Sequence, residues 1–176
     1  MLEYFLQPEL LAMLLFIFGL LLGSFANVLI VRIPRKEDFV WSRSVCRLCQ
    51  SQITWWENIP ILSFVVLRGK CRHCGQPISW RCPVVEFVMA TLFSIVTYSV
   101  GPSWILVEYL IFVFALVVVS FIDLEHMILP DVFTISGSIL GLLGASLNPE
   151  REFFEALIVF GVGLFSLWAV AVIYYW

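Results

Sequence analysis

Residues 10–33 read LLAMLLFIFGLLLGSFANVLIVRI, with Arg32 as the only charged side chain. A helix needs roughly 20 residues to cross about 30 Å of hydrocarbon. Because lipid offers no partner for an unpaired backbone group, an apolar run of this length enters a bilayer as a helix. The segment therefore predicts a transmembrane helix, and it decides the fold class of the chain.

The composition of the full chain points to the same class. Of its 176 residues, 61% are apolar and only 13% are charged, and the mean hydropathy is +0.99. Soluble domains carry about 45–50% apolar and about 25% charged residues, and a chain this short cannot hide the excess in one core. Soluble domains, nucleic-acid-binding proteins and disordered chains are thereby excluded. Four further apolar runs predict an all-α polytopic membrane protein with about five transmembrane helices: residues 83–100, 104–122, 132–147 and 153–176.

The basic residues are concentrated in one loop. Nine of the ten Lys and Arg lie between Arg32 and Arg81. Cytoplasmic loops of membrane proteins carry the excess of basic residues, so this loop is expected in the cytoplasm and the N-terminus outside. The chain then divides into the first transmembrane helix (1–33), a cytoplasmic loop (34–82) and transmembrane helices two to five (83–176). The same count places residues 123–131 at the cytoplasmic face and residues 148–155 outside.

The cytoplasmic loop contains two C-x-x-C units, Cys46–Cys49 and Cys71–Cys74, with 21 residues between them. This spacing lets a tight turn aim two sulfurs at one ion, and four thiolates satisfy tetrahedral zinc. Gly75 supplies the backbone freedom that such a turn needs. We predict a structural zinc site, because four protein ligands leave no open position for catalysis. Disulfides and a redox pair are the alternatives, although the cytoplasm keeps thiols reduced, and His73 is an alternative fourth ligand.

Small and polar residues in the first helix predict contacts with another helix. Gly19 and Gly23 form a G-x-x-x-G pair that continues to Asn27, and Gly137 and Gly141 form a second pair. Such positions let two helices approach closely in lipid. The Asn27 amide needs a partner at that depth. It is interpreted either as a hydrogen bond between helices or as part of the lining of a polar site.

Asp123 follows some 19 apolar residues of the third predicted helix. An acid in that position is costly, and it marks a functional site by default. The alternative is a helix-end residue that simply reaches headgroup water. Glu125 is interpreted as an interface residue that could line a site. Asp131 follows Pro130, so its charge suits the positive N-terminal end of the fourth helix, and it is a second possible lining residue.

These motifs together resemble the type IV prepilin leader peptidases, a family of bacterial membrane aspartic peptidases. The similarity extends over nearly the whole chain and follows the family's order. It rests on residues 23–28 (GSFANV), the paired C-x-x-C loop, residues 56–63 (WENIPILS), residues 67–71 (LRGKC), residues 81–86 (RCPVVE) and the segment from Asp123 to Asp131.

The resemblance implies a function. Members cleave a short basic leader from type IV prepilins or pseudopilins of pilus and type II secretion systems, after a glycine at the cytoplasmic face of the inner membrane. Many also methylate the new N-terminus with S-adenosylmethionine. Asp123 matches the first catalytic aspartate of a two-aspartate mechanism, and Cys46, Cys49, Cys71 and Cys74 match the zinc-binding domain.

Two positions depart from the family. Cys82 stands where an aromatic residue is common. The second catalytic aspartate belongs to a Gly-x-Gly-Asp motif, whereas residues 161–164 read Gly-Val-Gly-Leu. The sequence therefore looks like the N-terminal two-thirds of such an enzyme, and these 176 residues alone are expected not to cleave prepilin. The alternative functions are a zinc-stapled membrane scaffold that docks a pilus or secretion partner and, with weaker support, a proton-coupled carrier.

Overall fold

The computed structural model describes residues 7–39, 43–46, 48–147 and 153–175, and these residues are mostly helical. The helices are α1 (Pro8–Arg32), α2 (Leu62–Val66), α3 (Arg81–Val100), α4 (Trp104–His126), α5 (Asp131–Leu147) and α6 (Phe153–Tyr175), with one 3₁₀ helix at Trp55–Asn58. The described part contains two isolated antiparallel β-bridges, Val45 with Gln52 and Lys70 with Pro77, and no named strand.

Three helices, α1, α3 and α4, are long and apolar enough to cross a bilayer, which confirms the first three predicted spans. The fourth and fifth predicted spans also form helices. Helix α5 has 17 residues, and the described apolar part of α6, Phe153–Gly163, is shorter still. Membrane crossing by α5 and α6 stays a prediction. The three long apolar helices are enough to identify the chain as a multi-pass membrane protein.

The structure consists of two compact units, residues 1–130 and residues 131–176. In the first unit, α1, α3 and α4 pack against one another, with α1 and α3 in the most extensive contact. Their shared core is apolar and includes Ile30, Val85, Met89, Phe93 and Ile122. The second unit is the pair α5 and α6. Most of the predicted outer loop at residues 148–155 lies outside the described residues.

Glycines decide how closely α1 approaches α3. A Cβ built on Gly19 would lie 2.7 Å from the Cα of Ala90, and one built on Gly23 would lie 2.5 Å from the Cα of Glu86. Both distances are too short for any side chain, so the predicted helix contact at this pair is confirmed. Gly137 and Gly141 have no described atom within 4 Å of such a Cβ. The contact predicted there is not found in the described part of the chain.

Helix ends explain the bounds of the third span. The sequence predicted an end near Ile122, but α4 continues to His126, where Met127 takes a left-handed conformation (φ 51°, ψ 41°) and donates its N–H to Asp123. Asp123 is therefore inside the last turn of the helix, not beyond its end. Gly101, with φ 72°, makes the turn from α3 into α4.

The loop between α1 and α3 folds into a small domain. Its first part is held to the end of α1, because the Arg32 guanidinium donates to the backbone oxygens of Asp38 and Arg43 at 2.9 and 3.1 Å. In its last part the ring of Trp80 packs against that of Phe64, tilted by 58° with ring centroids 4.9 Å apart. Arg72 lies over the ring of Trp56 at 5.0 Å.

Candidate metal centre and intramembrane carboxylates

The four cysteines of the loop meet at one point. The Sγ atoms of Cys46, Cys49, Cys71 and Cys74 all lie within 4.8 Å of one another. Cys46 and Cys74 are 3.8 Å apart, and Cys49 and Cys71 are 4.0 Å apart. A tetrahedral ion with Zn–S bonds of about 2.3 Å places its sulfurs about 3.8 Å from one another. The four thiols therefore have the spacing that zinc requires.

Each C-x-x-C unit forms the same kind of turn. The N–H of Cys46 donates to Ser51 and that of Gln50 donates back to Cys46, at 2.9 Å each. In the second unit, Cys71 donates to Gln76 and Gly75 donates to Cys71, at 2.8 and 2.9 Å. The residue after the second cysteine has a positive φ in both, 56° at Gln50 and 70° at Gly75. Gly75 therefore adopts the positive φ for which a glycine was predicted, although Gln50 adopts a positive φ at the same place in the first unit.

The thiols perturb one another as clustered acids do. The Ser51 hydroxyl and backbone lower the pKa of Cys49 to about 6. The Gln76 backbone lowers the pKa of Cys74, but desolvation and the neighbouring cysteines outweigh it and raise that pKa to about 12. Four thiols held this close can all lose their protons only with a cation between them, and zinc fits this donor set.

The alternatives to zinc gain no support from the described residues. None of the five cysteines forms a disulfide in the described part of the chain, so neither C-x-x-C unit is an oxidised pair there. His73 does not belong to the cluster of possible ligands. Cys82 lies apart from it, half-buried at the start of α3.

Asp123 is exposed in the last turn of α4, two residues before Glu125. Its neighbours on the core side are apolar, since Val118 and Ile122 are fully buried. Asp131 lies in the first turn of α5, as predicted for an acid that faces the positive end of a helix. The backbone oxygen of Asp131 also accepts the Thr134 hydroxyl at 3.0 Å.

Asn27 forms the predicted hydrogen bond between helices and also borders a cavity. Its side-chain amide donates to the backbone oxygens of Gly23 and Cys82, at 3.2 and 3.0 Å, so it bonds α1 to the start of α3. Its Oδ1 is buried without a partner among the described residues. It also borders a cavity of about 570 Å³ between the loop and the helices α1 and α3, together with Ser24, Arg32 and Glu86.

Glu86 is a buried carboxylate that was not predicted as a site residue. Only 7% of it is exposed. Its Oε2 accepts the N–H of Ile61 at 2.7 Å, and the Ser24 hydroxyl bonds to it as well. The carboxylate therefore joins α1, α3 and the loop. The sequence did carry a signal, because an acid inside an apolar span is functional by default.

Glu125 has a basic partner, Arg81, at the first position of α3. The Arg81 Nη1 contacts both carboxylate oxygens at 2.6 Å. Glu125 borders a second cavity, of about 580 Å³, which Cys46 and Cys71 also border. Of the predicted site residues, the four cysteines come together, Asn27 and Glu125 border separate cavities, and Asp123 borders neither.

Comparisons with known proteins agree with this arrangement. Residues 17–100 match the bacterial peptidase A24 N-terminal domain, and residues 110–175 match the type IV leader peptidase family. The chain is 35% identical to a prepilin leader peptidase/N-methyltransferase of Klebsiella pneumoniae, over 96% of this chain and 75% of that protein. It is 42% identical to the protein of the same name from Myxococcus xanthus, over 88% of this chain and 46% of that protein.

A third relative of that name, from Aeromonas hydrophila, is 35% identical over 96% of this chain and 65% of its own length. The chain thus spans about half to two thirds of the Myxococcus and Aeromonas relatives. No solved structure matches it.

Proposed function

This chain belongs to the type IV leader peptidase family, and from that premise we propose that it cleaves the basic leader of type IV pilin-like precursors. Cleavage follows a glycine at the cytoplasmic face of the bacterial inner membrane. The substrates are prepilins or pseudopilins of pilus and type II secretion systems. The names of the relatives support both the peptidase and the methyltransferase parts of this proposal.

Asp123 is proposed as one of the two catalytic aspartates. The observation that carries this assignment is an exposed carboxylate in the last turn of a helix that can cross the bilayer. In a two-carboxylate mechanism, one group takes a proton from water while the other protonates the carbonyl of the scissile bond. A leader that stays in the cytoplasm brings that bond to the membrane face, where the third predicted span ends.

The second carboxylate is proposed to come from a segment other than the described helices. Residues 161–164 have the two glycines of the family's motif but no acid. Glu125 is engaged by Arg81 in an ion pair, so its carboxylate already has a partner. We therefore expect the 176 residues by themselves to leave prepilin uncut.

Zinc is proposed as a structural ion held by Cys46, Cys49, Cys71 and Cys74. Its charge would neutralise the thiolates and fix both turns of the loop. Because the four sulfurs complete a tetrahedral shell, no ligand position remains for substrate. The nine basic residues between Arg32 and Arg81 support a cytoplasmic position for this domain, beside anionic headgroups.

The second activity, methylation of the new N-terminus, is proposed from the relatives' names, and S-adenosylmethionine is the methyl donor that the family resemblance implies. Mass spectrometry of the cleaved pilin, with and without S-adenosylmethionine, tests it by the gain of one methyl group. A product that is cleaved but never methylated would contradict this part and leave the peptidase proposal standing.

A hybrid protein tests the peptidase proposal. This chain replaces the matching part of the Klebsiella relative, and the hybrid is expressed in membranes with a type IV prepilin. The hybrid is expected to cleave the leader, and Asp123→Asn is expected to lower the rate by at least about 100-fold, because it removes a proton-transferring group. Glu9→Gln is the matched control, since Glu9 is an exposed acid in the first turn of α1.

Three outcomes would contradict parts of the proposal. An Asp123→Asn hybrid that cleaves within a few-fold of the parent would remove Asp123 from the chemistry. Cleavage by the 176 residues alone would show that the second acid has been misplaced. A hybrid that never cleaves, but whose four-cysteine loop binds a secretion partner, would favour the scaffold function instead.

A further inference from the structure

The ion pair between Arg81 and Glu125 joins two parts of the chain that are 44 residues apart. One Nη1 atom of Arg81 contacts both oxygens of the carboxylate at 2.6 Å. The Arg81 side chain is 15% exposed and that of Glu125 is 37% exposed. The other neighbour of the carboxylate, the His126 Nε2, is 4.0 Å away, which is too far for a hydrogen bond. Arg81 is therefore the main partner of Glu125.

Because Glu125 lies in the same helical turn as Asp123, its ion pair with Arg81 affects the orientation of Asp123. Successive residues of an α-helix are about 100° apart around its axis, so Asp123 and Glu125 point in nearly opposite directions. The last turn of a helix frays easily, because its carbonyls lack partners within the helix. A hydrogen-bonded ion pair on Glu125 fixes the rotation of that turn. It thereby fixes the direction in which Asp123 points.

The backbone on the other side of the pair is anchored. Arg81 is the first residue of α3 and follows the loop domain directly. The next residue, Cys82, offers its backbone oxygen to Asn27 of α1 at 3.0 Å. Arg81 and Glu125 also border the same cavity as Cys46 and Cys71. The end of α4 is thus bonded, through Arg81, to the start of α3, which itself is bonded to α1 and follows the loop domain.

We propose that Arg81 and Glu125 are positioning residues, whose ion pair sets the rotation of the last turn of α4 and so presents the Asp123 carboxylate to the scissile peptide bond. This inference rests on the proposed function, because it takes Asp123 as a catalytic group. It assigns no chemical step to Arg81 or Glu125. Misplacing a reacting group by about 1 Å can cost about 100-fold in rate, so the pair acts on turnover and leaves substrate binding largely unchanged.

A double-mutant cycle on the prepilin-cleaving hybrid tests the pair. The variants are Arg81→Gln, Glu125→Gln, the double variant and the conservative Arg81→Lys. Each single Gln variant is expected to lower kcat by about tenfold or more with KM within about threefold. The double variant is expected to be no slower than the slower single variant, because both remove one interaction. Arg81→Lys keeps the charge and is expected to recover a large part of the loss.

Two controls separate positioning from general damage to the fold. Arg43→Gln removes the same charge from the loop that precedes α3, where the Arg43 side chain reaches Gln52 at 3.3 Å, and it is expected to leave kcat unchanged. Zinc content is expected to stay at the parent value in all variants, because the four cysteines are intact. The kcat of the Asp123→Asn hybrid is measured in the same experiment.

The results distinguish this inference from the proposed function. If Asp123→Asn is inactive while Arg81→Gln and Glu125→Gln keep full kcat, the positioning role is overturned and the peptidase proposal stands. Additive losses in the double variant, or losses confined to KM, also overturn it. If Asp123→Asn itself remains active, the proposed function fails first.

Discussion

Gly23 of α1 lies directly against the backbone of Glu86 in α3, so closely that a Cβ at position 23 would be 2.5 Å from the Glu86 Cα. This contact brings the carboxylate of Glu86 between two helices and the loop. Glu86 then bonds to Ile61 through its Oε2. One missing side chain on α1 therefore makes room for the polar junction that holds the loop on the helices.

The first prediction concerns this close approach. Gly23→Ala and Gly19→Ala are expected to destabilise the contact between α1 and α3 by about 1–3 kcal/mol, because the new methyl group meets backbone that cannot yield easily. The measurement is the midpoint of unfolding in detergent. Gly137→Ala is the matched control, since no described atom lies within 4 Å of its Cβ position, and it is expected to be neutral or slightly stabilising. Equal losses at positions 23 and 137 would contradict the packing argument.

The second prediction concerns the metal. Cys71→Ser is expected to weaken zinc binding by at least about 100-fold, because serine replaces a thiolate ligand. Competition with a chromogenic chelator measures this affinity. Cys82→Ser is the control and is expected to bind zinc normally, since Cys82 is outside the cluster. Unchanged affinity in Cys71→Ser would rule out the four-sulfur site.

The third prediction concerns the junction at Glu86. Glu86→Leu is expected to loosen the loop by about 1.5–3 kcal/mol, the usual contribution of a hydrogen bond to a charged group. The change leaves the N–H of Ile61 without its acceptor. Glu86→Gln keeps an acceptor oxygen and is expected to lose less. The rate of proteolysis within the loop measures both, and identical rates in the parent and Glu86→Leu would contradict the role of this bond.

The fourth prediction concerns pH. The hydroxyl and the N–H of Thr54 bond to the Glu57 carboxylate at 2.6 and 2.8 Å, and they hold the pKa of Glu57 below its usual range. Because the folded state has the lower pKa, this stabilisation is present at neutral pH and is lost as the pH falls through the folded pKa.

Proteolysis of the loop as a function of pH tests that sign. Glu57→Gln is expected to be cut faster than the parent at about pH 7, and the difference is expected to shrink as the pH falls through the folded pKa of Glu57. Acid also protonates the metal-binding thiols, and this effect occurs in both proteins. A difference that is independent of pH would show that the charge of Glu57 plays no part.

Much of the fold could be predicted from local patterns. The apolar runs predicted the helices to within a few residues, and the C-x-x-C spacing predicted all four cysteines of the cluster that could hold a metal ion. The largest boundary error, at α4, arose because Asp123, Glu125 and His126 are polar residues that nevertheless continue a helix. Hydropathy alone predicts a helix end near Ile122. The helix in fact continues to His126 and ends at Met127, which takes a left-handed conformation.

Local sequence patterns did not predict which residues the buried and interfacial acids bond to. Glu125 was expected to face the membrane interface, yet it pairs with Arg81, and Glu86 was not singled out at all. Both interactions join residues that are far apart in sequence, 44 residues in one case and 25 in the other. No periodicity within one helix reports such a pairing, because it depends on how two helices are placed side by side.

The sequence by itself determined that this protein enters a membrane and carries four cysteines spaced to hold a metal ion, since chain length in lipid and ligand spacing in a turn are local properties. Only the tertiary structure decided that α1 and α3 meet through Gly19 and Gly23, and that Arg81 reaches the end of α4. Those contacts depend on the orientation of whole helices. Close packing fixes that orientation only when every helix of the unit is in place.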